Sequence, residues 1–73
     1  MKVNPTAARD IKKSDTIRLK DDLHSEVIDA SFDQSQRIVG GPLNKTATAL
    51  RIQTVAATIL VHPGQLIGKT ISD

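Results

Sequence analysis

Residues 47–63, ATALRIQTVAATILVHP, form the most apolar stretch of the chain, and any fold must bury one side of it. Its residue types favour a pleated sheet. Thr46, Thr48, Ile52, Thr54, Val55, Thr58, Ile59 and Val61 are all β-branched, which costs rotamer freedom in a helix and suits a strand. The spacing predicts a hairpin with strands at 48–54 and 59–62 joined by residues 55–58. In that register Thr54 opposes Ile59, Ile52 opposes Val61, and Leu50, Ile52, Ile59 and Val61 share the core face. A loop of odd length would scatter these residues over both faces. The competing reading is an α+β fold with a helix at 46–61, capped by Asn44, stopped by Pro63-Gly64, with Arg51, Thr54 and Thr58 on its polar stripe.

Around this stretch the rest of the chain reads as short strands. Thr16 to Leu19 alternates, with Ile17 and Leu19 on one face. After the turn-rich Lys20-Asp21-Asp22-Leu23, residues 26–33 alternate again, and period two places Ile28, Ala30 and Phe32 inward with Val27, Asp29, Ser31 and Asp33 outward. Arg37-Ile38-Val39 is long enough only for an edge strand. Gly40-Gly41-Pro42-Leu43-Asn44-Lys45 is a long loop. His62 to Leu66 is a tight turn, and Ile67 to Ser72 a last strand. Before all of these, residues 1–13 read as a basic arm, or as a single helical turn from Thr6 to Ile11 with Asn4 as cap and Pro5 at the first helical position. The expected fold is therefore mainly β: an arm at 1–13 and a small barrel domain at 14–73. Five short strands with a tight hairpin third and a turn before the last resemble an SH3-like barrel in architecture, without a family motif to sharpen the likeness.

Composition restricts what such a fold can do. A chain of 73 residues buries only about 60% of its unfolded surface. It has no cysteine, hence no disulfide, and two histidines alone do not complete a four-ligand zinc site. Small domains without such staples often gain stability by oligomerising. Phe32 is the single aromatic residue, which excludes the stacking platforms of single-strand and RNA binders and the aromatic walls of proline-peptide grooves. No apolar run reaches the roughly 20 residues of a membrane helix, and the amino terminus lacks the apolar middle of a secretory signal. These features predict a cytoplasmic protein with no membrane association, and a virion fits equally well.

Charge is segregated along the chain. Residues 1–20 carry Lys2, Arg9, Lys12, Lys13, Arg18 and Lys20 against Asp10 and Asp15, whereas residues 21–33 carry Asp21, Asp22, Glu26, Asp29 and Asp33 with no base. Motifs for catalysis are lacking. Gly64-Gln65-Leu66-Ile67-Gly68-Lys69-Thr70 approaches a phosphate-binding loop, but Pro63 stands where its first glycine belongs and only three residues follow Thr70, too few for the helix the loop needs. His24 among Asp21, Asp22 and Glu26 matches no metal-ligand spacing and reads as part of a solvated acidic turn. The expectation is a small non-enzymatic interaction module without cofactor, an assembly subunit or regulator binding a larger protein or itself. Its predicted interaction residues are Arg9, Lys12, Lys13, Arg18, Lys20, Lys45, Arg51 and His62. The alternative is a nucleic-acid-binding barrel using phosphate contacts from the basic amino-terminal segment.

Overall fold

The computed structural model describes residues 2–71. Six antiparallel strands form one sheet in the order β1-β6-β2-β3-β4-β5. In chain order they are β1 (Lys2–Ala7), β2 (Thr16–Lys20), β3 (Leu23–Gly40), β4 (Lys45–Thr54), β5 (Thr58–Val61) and β6 (Leu66–Ile71). A single 3₁₀ turn, Ala8–Asp10, follows β1, and no α-helix occurs among the described residues. The mainly β expectation therefore holds, with one strand more than the five expected. The sheet is not closed into a barrel: β1 and β5 are its two edges.

The additional strand lies in the segment expected as a basic arm or a helical turn. Lys2 to Ala7 pair residue for residue with Ile71 to Leu66 of β6, so this segment is part of the sheet. Pro5 lacks an N–H, a defect that an edge strand tolerates and a central one does not. Its partner across the ladder is Gly68, where an added Cβ would stand 2.5 Å from Val3 Cγ1, so the Val3 side chain lies over this glycine and would have to shift for any larger residue. The 3₁₀ turn then anchors the chain, because Ala8 N–H donates to the Gln65 carbonyl and Arg9 N–H to that of Pro63. Ala8 and Ile11 are buried in the core.

The apolar stretch forms the hairpin β4 and β5, not the alternative helix at 46–61. Its register differs from the expected one by two residues: Ile52 faces Ile59 and Leu50 faces Val61. Thr54 is the reason. Its N–H donates to the Ala57 carbonyl at 2.8 Å, while its hydroxyl both accepts from Ala57 N–H and donates to the Ala57 carbonyl, which closes the turn one pair earlier. A shift of two preserves which side chains face inward. Leu50, Ile52 and Val61 are buried, with Ile59 packed against them.

Strand β3 was expected in two pieces, yet it runs unbroken for 18 residues. Its bend comes from two register shifts. The first, between Val27 and Asp29, makes Ile28 the extra residue of a bulge. The inward set consequently changes from Ser25 and Val27 to Ala30, so Val27 is fully buried and Ile28 stands 44% exposed, the reverse of simple alternation, and Phe32, expected inward, is 53% exposed. The second shift, between Asp33 and Arg37, absorbs Gln34 to Gln36, after which Arg37 to Gly40 pair with Thr48 to Lys45. By bending, β3 serves two halves of the sheet, pairing β2 through Leu23 to Glu26 and β4 beyond. The core of Ala8, Ile11, Ile17, Val27, Leu50, Ile52, Val61 and Ile67 lies between these halves. The tip of the β4–β5 hairpin docks on β3, with Val55 N–H donating to the Glu26 carbonyl and Ala56 N–H to the buried Ser25 hydroxyl. The last strand ends at Ile71 among the described residues. Ser72, expected as its final residue, lies outside them.

Candidate functional site

The loop joining β3 to β4 is a four-residue connection, residues 41–44, closed by a hydrogen bond from Asn44 N–H to the Gly41 carbonyl. Gly41 and Asn44 take positive φ values of 77° and 52°, conformations that glycine and asparagine adopt most readily. The loop lies over the turn that follows β5. His62 is the contact between them: its ring packs against Gly40, Gly41 and Gly64, and a Cβ added at Gly41 would meet the ring at 3.0 Å. His62, expected at the end of the second hairpin strand, lies just after β5 and is half-buried beneath the glycine loop.

His62 Nδ1 accepts a hydrogen bond from Gly64 N–H at 2.9 Å, which leaves the ring proton of the neutral imidazole on Nε2. That Nε2 is buried and has no hydrogen-bond partner among the described residues. Beside the ring is a cleft of about 430 Å³ walled by Ala7, Pro42, Leu43 and Leu66 and bordered by Arg9 and Lys45. Arg9 is brought there by the hydrogen bond from its own N–H to the Pro63 carbonyl. Lys45 is brought by its pairing with Gly40 at the start of β4. The lining contains two cationic side chains and no carboxylate. Leu43 is 73% exposed and Leu66 63% exposed. Chemically the cleft offers apolar contact together with positive charge, suited to an apolar group carried next to an acidic one.

Three predicted interaction residues, Arg9, Lys45 and His62, thus converge on one surface. The others are dispersed. Arg18 and Lys20 line a separate cleft of about 410 Å³ between β2, β5 and the start of β6, alongside Asp21. Lys12 borders a third, with Asp10 and Lys69. Lys13 is exposed between the 3₁₀ turn and β2 and lines none of these three clefts. Arg51 sits on the outer face of β4 in an ion pair with Asp33. Lys69, the lysine of the incomplete phosphate loop, lies in strand β6, 3.6 Å from Asp15. His24 Nδ1 is 2.7 Å from the Thr70 hydroxyl, so its ring bridges β3 and β6. No cluster of three or more metal-ligating side chains occurs among the described residues.

Sequence reasoning passed over Pro42, Leu43, Gly64 and Leu66, which supply the walls. The signal available was the coincidence of three glycines, Gly40, Gly41 and Gly64, with one histidine, a pattern that permits close backbone approach to a planar ring.

Among the described residues, Asp33 is the one group held clearly off its ordinary acidity. Hydrogen bonds from the Ser35 hydroxyl and backbone N–H lower its pKa, and the Arg51 guanidinium lowers it further. A carboxyl more acidic in the folded than in the unfolded chain stabilises the fold above the unfolded value, and that contribution is lost as pH falls through the folded value. NMR titration of the Asp33 carboxyl should therefore give a midpoint below that of an unstructured aspartate, and Ser35→Ala should move it upward. The effect on stability should be small because the site is at the surface.

Searched against protein-family models, curated proteins and solved structures, the chain matches none of them. Among the described residues no helix is long and apolar enough to cross a membrane.

Proposed function

We propose that this chain is a small non-enzymatic interaction module, an assembly subunit or regulator that binds a larger protein or itself, with the cleft beside His62 as its docking surface. The supporting observation is the convergence of Arg9, Lys45 and His62 on apolar walls that lack any carboxylate. Exposed Leu43 and Leu66 at the same place suit a partner's apolar side chain, and the two cations suit an adjacent carboxylate. The order β6-β2-β3-β4-β5 and the turn between β5 and β6 support an SH3-like arrangement, to which β1 is added at one edge. A cytoplasmic or virion setting agrees with the lack of cysteine. Nucleic-acid binding has less support, because Lys12, Arg18, Lys20 and Lys45 divide among three clefts and Asp10 or Asp21 shares two of them.

A photoreactive amino acid at position 43, introduced in the native host, tests the reading. The expected outcome is a discrete protein adduct, lost when Arg9→Glu and Lys45→Glu are combined. A nuclease-sensitive adduct would favour the nucleic-acid alternative, and no adduct above that from position 22 would reject the cleft.

A further inference from the structure

The two edges of the sheet differ in how they are protected. Edge strands present unpaired N–H and C=O groups, and proteins blunt them with proline, charge or shortness. Strand β1 carries Pro5 at its middle. Strand β5, Thr58-Ile59-Leu60-Val61, is protected only by its shortness, since it has neither proline nor charge. Its free groups can be identified from the hairpin. The hydrogen bond from Thr54 N–H to the Ala57 carbonyl makes 54 and 57 a hydrogen-bonded pair, so by alternation the Ile52–Ile59 and Leu50–Val61 pairs carry the ladder bonds. The N–H and C=O of Thr58 and Leu60 therefore point away from β4, and no other described segment pairs with them.

We propose that this edge of β5 pairs antiparallel with the same edge of a second copy, about a two-fold axis at Ile59, joining two six-stranded sheets into one. Several observations select a second copy as the occupant. In this register Thr58 of one subunit opposes the partner's Leu60 and Leu60 opposes the partner's Thr58, so the outward groups satisfy each other in four hydrogen bonds without a leftover. The strand carries no charge to repel its own image across the axis. Leu60, 44% exposed, lies within the contact. A two-fold contact uses the same patch on both subunits and therefore closes, and Pro5 on β1 opposes extension at the far edge. The contact is short compared with a standard interface of about 800 Å² per partner, so the dimer should be weak and depend on concentration.

Sedimentation analysis of the full chain from micromolar to millimolar concentration tests the proposal, with Leu60→Pro and Leu60→Lys as variants. Leu60→Pro removes an outward N–H while leaving the bonds to β4, and Leu60→Lys places a charge at the contact. The expected result is a monomer–dimer equilibrium in the wild type, weakened about tenfold or more by either variant, since Leu60→Pro loses two hydrogen bonds per dimer and Leu60→Lys sets two like charges at the contact. Amide exchange at Thr58 and Leu60 of the wild type should slow as concentration rises, a readout that requires no variant to fold. A wild type that stays monomeric, amides unaffected by concentration, or folded variants that dimerise undiminished would each overturn the proposal. Combining Arg9→Glu with Lys45→Glu should leave the dimer intact; if it abolishes dimerisation, the cleft beside His62 is the self-contact and the β5 edge is not.

Discussion

Ile52→Ala is expected to cost about 2–5 kcal/mol, the range for truncating a fully buried isoleucine when its surroundings cannot close the void. Ile52 has no solvent exposure and belongs to the core cluster, with Ala30 of β3 and Ile59 of β5 opposite it on either side. It belongs to β4, which pairs with β3 on one side and β5 on the other, so a void there loosens both ladders. A domain of this length has a total stability of about 4–11 kcal/mol, and the substitution should consume a large part of it. Urea denaturation is the measurement. The midpoint should fall steeply, and Ile59→Ala, at a half-buried position on the same face, should lower it less.

Gly41→Val should produce the second large effect, for a different reason. Gly41 has a φ of 77°, a conformation costly for any residue with a Cβ and worst for a β-branched one. Strain of this kind costs about 1–3 kcal/mol. The added Cβ would also stand 3.0 Å from His62 Cε1 and Nδ1, so the ring must move. Displacement of the ring should weaken the hydrogen bond from Gly64 N–H to His62 Nδ1 and disturb the loop over the cleft. The melting temperature should fall by about 4–8 °C per kcal/mol lost, and the Gly64 amide resonance should shift. Leu43→Ala, in the same loop but exposed, should leave the melting temperature nearly unchanged.

The hairpin was legible in the sequence because its β-branched residues and its alternation agree, and the core face of Leu50, Ile52, Ile59 and Val61 follows from parity alone. Its register was not, because a threonine can belong either to the strand or to the turn. The hydroxyl of Thr54 decides this by bonding Ala57, a choice that hydrophobic pattern does not encode. Val27 and Ile28 illustrate a second limit. Period two carries the inward set through a strand unchanged, whereas one bulge exchanges it, and nothing local to Glu26-Val27-Ile28-Asp29 marks the bulge. Strand β1 escaped notice because Pro5 argues against a strand unless that strand lies at an edge, a fact about topology. At the cleft, Arg9, Lys45 and His62 were recognisable as candidate contacts by residue type. That they meet depends on Arg9 bonding Pro63 across some fifty residues of chain, a long-range pairing invisible to local reading.

The central claim is that the cleft beside His62, and not the general basic character of the amino-terminal segment, carries recognition. The direct measurement compares two double charge reversals in crosslinking from position 43: Arg9→Glu with Lys45→Glu at the cleft, and Lys12→Glu with Lys13→Glu outside it. Both remove the same charge from the molecule. Loss of the protein adduct in the first pair and its retention in the second is the predicted result. Equal loss in both, or loss only in the second, would contradict the assignment of function to this cleft.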